Sequence, residues 1–128
     1  MMRIWEEPQP YHTYLISIDS SFGRDRDYSA FHIINLYNGN QVAEFYSNRI
    51  GLNEFAKIIV QEGVRYNTAY VAPERNGLGL ALIEQLFEVH EYDNMWTDDR
   101  GEMGYLVNNK NRDALLNNLQ ENLKTSKI

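Results

Sequence analysis

Two carboxylates in this sequence stand where they could do chemistry together. Asp19 ends the short apolar run Tyr14-Leu15-Ile16-Ser17-Ile18, which suits a buried strand. Glu74 follows Ala69-Tyr70-Val71-Ala72 and Pro73, which suits another. If those strands are parallel neighbours, both side chains reach the carboxyl edge of one sheet, where open α/β sheets hold their ligands. Carboxylates converging at such an edge repel one another unless a divalent cation sits between them. Ligands that are all oxygen, with no Cys or His, favour a hard ion, Mg²⁺ or Mn²⁺. A pair of such ions clamps the attacking and leaving oxygens of a phosphodiester about 4 Å apart.

Plainer readings stand beside this one. A strand-terminal Asp is by default a solvated turn or cap residue, and Glu74 alone carries the same default. Asp25 and Asp27 alternate with Arg24 and Arg26, a pattern that reads first as a solvated, self-neutralising loop. Gly77-Leu78-Gly79 lacks both the third glycine and the Lys-Ser/Thr of a phosphate loop, so it reads as a tight entry to a helix. His12, His32 and His90 lie far apart and show no ligand spacing. No serine occupies a nucleophile elbow. Asp98-Asp99 before Arg100-Gly101 reads as a turn.

The elements that must position the acids follow from the hydrophobic pattern. Residues 1–13, with Pro8 and Pro10, read as an extended lead-in. Strands are expected at Tyr14 to Ile18, at Phe31 to Leu36 and at Gln41 to Tyr46, the last two joined by an Asn38-Gly39 hairpin. Leu52, Phe55, Ala56 and Ile59 then repeat at helical spacing, and Gly63 sits where that helix would stop. After the strand at 69–72, Asn76 is a good N-cap for a second helix with Leu78, Ala81, Leu82 and Leu86 on one side. Tyr92 to Trp96 is a weaker strand candidate. Asn111 to Lys124 forms a third helix with Leu115, Leu116, Leu119 and Leu123 on one face. The order β-β-β-α-β-α-β-α predicts an α/β protein, a mixed sheet with helices on its faces.

Composition sets outer bounds. The 128 residues are the size of one domain, and 43% hydrophobic residues suffice for a core. A net charge of −6 excludes a free-standing basic module held to nucleic acid by whole-domain charge. It leaves nucleic acid open as a substrate, because bound metal ions reverse the sign of a site. Cysteine is absent, which excludes a disulfide framework, a thiolate metal site and a cysteine nucleophile. No apolar run approaches the roughly 18 residues of a membrane span, and a soluble protein of a reducing compartment is expected.

The ordered series Tyr14-Leu15-Ile16-Ser17-Ile18-Asp19, Gly23, Asp27-Tyr28-Ser29-Ala30-Phe31-His32, Tyr66-Asn67-Thr68-Ala69, Glu74-Arg75-Asn76-Gly77-Leu78-Gly79 and Tyr92-Asp93-Asn94-Met95-Trp96 resembles the nuclease domain of phage large terminase subunits. The likeness is to the T-even-like tailed phages, and it continues through Gly104-Tyr105, Asn108, Lys110 and Arg112, covering roughly residues 14 to 123. The resemblance implies a ribonuclease H-like fold with strand order 3-2-1-4-5, counted from the strand at Tyr14. It makes Asp19 and Glu74 the first and second metal-binding acids and Asp27 a nearby acidic loop position. It implies a metal-dependent endonuclease that cuts concatemeric viral DNA during packaging, in the cytoplasm of the host cell. Expected partners are double-stranded DNA, an N-terminal packaging ATPase domain, a small terminase subunit and a portal ring. Arg24, Arg26, Lys110 and Arg112 are the expected contacts to the DNA backbone.

Two departures from the pattern matter. No packaging ATPase motif is present, and the family's third acid belongs to an Asp-Asp stretch beyond the helix at 111–124. The segment 14–128 is therefore expected to be a nuclease domain incomplete at its C-terminus. Its parent would be a two-metal endonuclease and the isolated chain weak or inactive. The alternative is a non-catalytic ribonuclease H-like module that docks to DNA or to motor components without cutting.

Overall fold

A computed structural model of the chain describes residues 1–20, 29–75 and 77–104. Its elements are β1 (Met2–Ile4), β2 (Tyr14–Ser20), β3 (Ser29–Asn35), β4 (Gln41–Ser47), α1 (Leu52–Arg65), β5 (Tyr70–Pro73) and α2 (Gly77–Glu84). A π-helical turn, Gln85–Val89, continues α2. The strands form one sheet in the order β1-β4-β3-β2-β5. Only β2 and β5 run parallel; the other neighbours are antiparallel.

The middle of the sheet follows the order 3-2-1-4 that the resemblance implies, with the strand at Tyr14 between the hairpin and the strand at Tyr70. Both edges differ. Met2–Ile4, taken from the expected lead-in, pairs with β4 and sets Arg3 opposite Glu44. Pro8 and Pro10 come after this pairing and so do not interrupt it. The rest of the lead-in is tied down: Tyr66 Oη donates to the Glu6 carbonyl at 2.7 Å, and Asn67 Nδ2 donates to the carbonyls of Gln9 and His12. At the opposite edge the expected strand at Tyr92–Trp96 shrinks to a single parallel bridge, Val71 to Met95. The chain there folds back immediately through a turn at Asp98, and Thr97 bridges Met103.

Alternation along the strands fixes two faces. Tyr14, Ile16 and Ile18 of β2 join Phe31, Ile33, Ala43, Phe45 and Val71 against Phe55, Ala56 and Ile59 of α1 and Leu82 of α2. Burying each large side chain here contributes about 1.5–3 kcal/mol. Leu15, Leu36 and Ala72 face the other way, packed with Tyr70 and Trp96. Every residue from Tyr14 to Ile18 is buried, as a central strand covered on both sides requires.

Gly63 does not end α1, which runs on to Arg65. The glycine is instead a packing site: a Cβ there would lie 2.6 Å from Tyr92 Oη. Burial pushes the Tyr92 phenol up from its ordinary value. The hairpin turn does fall at Asn38-Gly39, with Gly39 at φ 79°, a left-handed conformation that suits glycine. Asn76 and the expected helix at 111–124 lie outside the described residues.

Candidate metal centre

The parallel pairing of β2 and β5 sets the geometry of the acids. Its register runs Leu15 to Tyr70, Ile16 to Val71, Ser17 to Ala72 and Ile18 to Pro73. The pairing ends there, and Asp19 and Glu74 are the next residue of each chain. Residues opposite one another in neighbouring parallel strands share a face and stand about 4.8 Å apart along the backbone. That face is the one carrying Leu15 and Ala72, away from α1. β3 lies antiparallel on the other side of β2, so the chain changes direction beside Asp19. Asp19 and Glu74 thus follow the paired stretch of β2 and β5 at the carboxyl end of the sheet, the end where open α/β sheets hold their ligands.

Their surroundings differ. Asp19 is half-buried and stands opposite Ala30 of β3. Glu74 is only 4% exposed, a degree of burial rare for a carboxylate. Two oxygen-donor side chains in this placement fit a hard divalent cation. No group of three or more acidic or histidine side chains gathers among the described residues. Asp27, the acidic loop position expected near the site, and Arg24, Arg26, Lys110 and Arg112, the expected DNA contacts, lie outside the described residues.

Asp98 is committed to its own turn and to Arg75. Its Oδ1 accepts the backbone N–H groups of Arg100 at 2.9 Å and Glu102 at 3.0 Å. Its Oδ2 accepts Arg75 Nη2 at 2.7 Å. The residues therefore form a closed turn, as the Asp98-Asp99-Arg100-Gly101 pattern predicts. Arg75 also pairs with Glu102 and is the residue whose part sequence reasoning missed. It follows Glu74 directly, yet its partners lie 23 and 27 positions away. No local spacing rule connects them.

The histidines hold structural places. His12 stacks on Tyr37 with ring centroids 4.9 Å apart and bonds Asn35, while His32 bonds Gln41. None adjoins the acid pair in the sheet register.

No protein-family model matches the sequence. Among solved structures, the large terminase nuclease of the thermophilic phage G20c with bound cobalt superposes with a TM-score of 0.68 at 21% identity, over 97% of this chain and 60% of that one. The same phage's nuclease with bound magnesium gives 0.67 at 22% identity, with the same coverage. The large terminase nuclease domain of Thermus phage P74-26 gives 0.61 at 20% identity, over 97% of this chain and 58% of that one. The chain thus spans about 60% of the length of these structures. Identity at this level speaks to architecture: the chain has the α/β fold of large terminase nuclease domains.

Proposed function

We propose that this chain is the metal-dependent DNA endonuclease domain of a phage packaging terminase large subunit, and that Asp19 and Glu74 hold its divalent cation. One observation supports the reading: in a fold shared with terminase nucleases, Asp19 and Glu74 are the residues that directly follow the last parallel pair of β2 and β5, Ile18 and Pro73. The G20c nuclease has been solved with cobalt and with magnesium, which supports a divalent ion, Mg²⁺ or Mn²⁺, here. Asp27 is the proposed third carboxylate. Double-stranded DNA is the proposed substrate, with Arg24, Arg26, Lys110 and Arg112 on its phosphates. A packaging ATPase domain, a small terminase subunit and a portal are the proposed partners, and the host cytoplasm the proposed location.

A bound divalent ion would supply Lewis-acid polarisation of the scissile phosphate and a more acidic water nucleophile. The protein's own part is to hold two carboxylates in fixed register, at a sheet end whose packing sets their spacing. Burial of Glu74 keeps water from competing for its oxygens.

The non-catalytic reading draws on a separate observation. No group of three or more candidate metal ligands gathers among the described residues, and both oxygens of Asp98 are already bonded. Cleavage of plasmid DNA with Mg²⁺ or Mn²⁺, by wild type and by Asp19→Asn, decides between the two. Metal-dependent cutting lost in Asp19→Asn supports the endonuclease. Mn²⁺ uptake without cutting, even in a chain extended downstream, supports the docking module. Absence of both overturns the metal site.

A further inference from the structure

We infer that Arg75 is a positioning residue for Glu74, acting through the turn at Asp98–Glu102. The inference rests on the functional reading above and concerns what fixes one of its two acids.

β5 has four residues and ends on Pro73, which has no N–H to donate to a neighbouring strand. A strand so short leaves its end weakly defined, and Glu74 is the next residue. Two contacts flank it. On one side the backbone of Gly104 closes on the Pro73 carbonyl: a Cβ at Gly104 would meet that oxygen at 2.5 Å, and Gly104 has φ +85°. On the other side the Arg75 guanidinium reaches Asp98 at 2.7 Å and also pairs with Glu102. Asp98 is itself fixed by the two amides of its turn. The Glu74 backbone is thus pinned before and after, and the pin runs to the segment 98–104.

Stability alone explains this clamp poorly. The Arg75 side chain is only 14% exposed, and its Nε lies buried with no hydrogen-bond partner among the described residues. Desolvating a guanidinium and leaving one donor unmatched offsets much of what two ion pairs contribute. What the arrangement does supply is direction: a planar fork spanning two carboxylates holds the backbone at 75 in one orientation. Lysine, a single point charge, cannot span both.

The test uses the whole 128-residue chain, titrated with Mn²⁺ well below its melting temperature. Arg75→Gln and Asp98→Asn should each weaken Mn²⁺ binding about tenfold, as loss of outer-sphere support does elsewhere. The double variant should bind no more weakly than the poorer single one, because the two act as one unit. Arg75→Lys should fall between wild type and Arg75→Gln. In metal-free protein, amide exchange at Glu74 and Arg75 should quicken in Arg75→Gln while exchange in β3 stays unchanged. A variant that melts earlier yet keeps wild-type Mn²⁺ affinity and wild-type exchange at Glu74 overturns the inference and leaves a purely structural ion pair. Failure of wild type to take up Mn²⁺ overturns the endonuclease reading instead; the exchange measurement then judges the clamp on its own.

Discussion

Asp19→Asn is the sharpest perturbation of the acid pair, and its first effect should be on stability. On the proposed reading, the metal-free fold holds two carboxylates at neighbouring positions just beyond the Ile18–Pro73 pair. Unit charges about 5 Å apart repel by about 1 kcal/mol in water-like surroundings and about 3 kcal/mol at the effective dielectric of a protein surface. Asp19 is half-buried and Glu74 is 4% exposed, so a value near the middle, about 2 kcal/mol, applies. Asp19 also takes part in an interaction within the fold. Weakening that interaction subtracts about 1 kcal/mol. Asp19→Asn should therefore stabilise the metal-free chain by about 1 kcal/mol, a rise of about 4 °C in melting temperature for a domain of this size.

Metal should reverse the order. A ligand that binds only the folded state at a hundred times its Kd adds about 2.7 kcal/mol, so saturating Mn²⁺ should lift wild type by about 10 °C. Asp19→Asn, with one ligand removed, should gain much less. The assay is a set of four thermal melts, each protein in chelator and in millimolar Mn²⁺. If Asp19→Asn melts lower than wild type in chelator and Mn²⁺ moves neither curve, Asp19 is an ordinary strand-end carboxylate and the metal centre is wrong.

Other expectations concern the packing and the substrate. Burial holds the Tyr92 and Tyr66 phenols above their ordinary value, so the folded state keeps those protons longer than the unfolded chain. The tyrosine contribution should be level below about pH 10, so stability should fall as pH rises beyond it, more gently in Tyr92→Phe; an equal slope in that variant would remove Tyr92 as a cause. Gly63→Ala should destabilise by about 1–3 kcal/mol although alanine is the better helix former, because its Cβ would meet Tyr92 Oη. Tyr92→Phe in the same chain should recover part of that loss, and strictly additive melts would show that the clash is relieved elsewhere. DNA binding by the isolated chain, at net charge −6, should be weak and fall steeply with salt; tight binding indifferent to salt would refute the phosphate-contact assignment.

How far the fold was legible depends on how local its signals are. The strands at Tyr14 and Phe31 announce themselves because a central strand is apolar on both faces, and α1 because Phe55, Ala56 and Ile59 share one side. The edges were not legible. Met2–Ile4 carries no apolar pattern of its own; its place comes from β4 offering an open edge and from Arg3 meeting Glu44 at 3.6 Å. Gly63 was misjudged for a related reason. A glycine late in a helix reads as a stop, yet this one serves a tyrosine 29 positions downstream that needs the space of a side chain. Partners of that kind become visible only after the chain has folded.

The parallel pairing on which the proposed acid pair depends was legible for the opposite reason. A strand end is a local feature, and the β2–β5 register confirms that the two strands preceding Asp19 and Glu74 are parallel neighbours. Which other acid completes such a pair is a matter of commitment rather than proximity. A carboxylate serves a cation only if its oxygens are not already spent, and both oxygens of Asp98 are spent, on Arg75 and on the amides of its own turn. Releasing Asp98 toward a metal would break its turn, unpair Arg75 and loosen the flank of Glu74 at the same time. Asp98 therefore supports the site best by staying out of it, and a third carboxylate has to come from another acid.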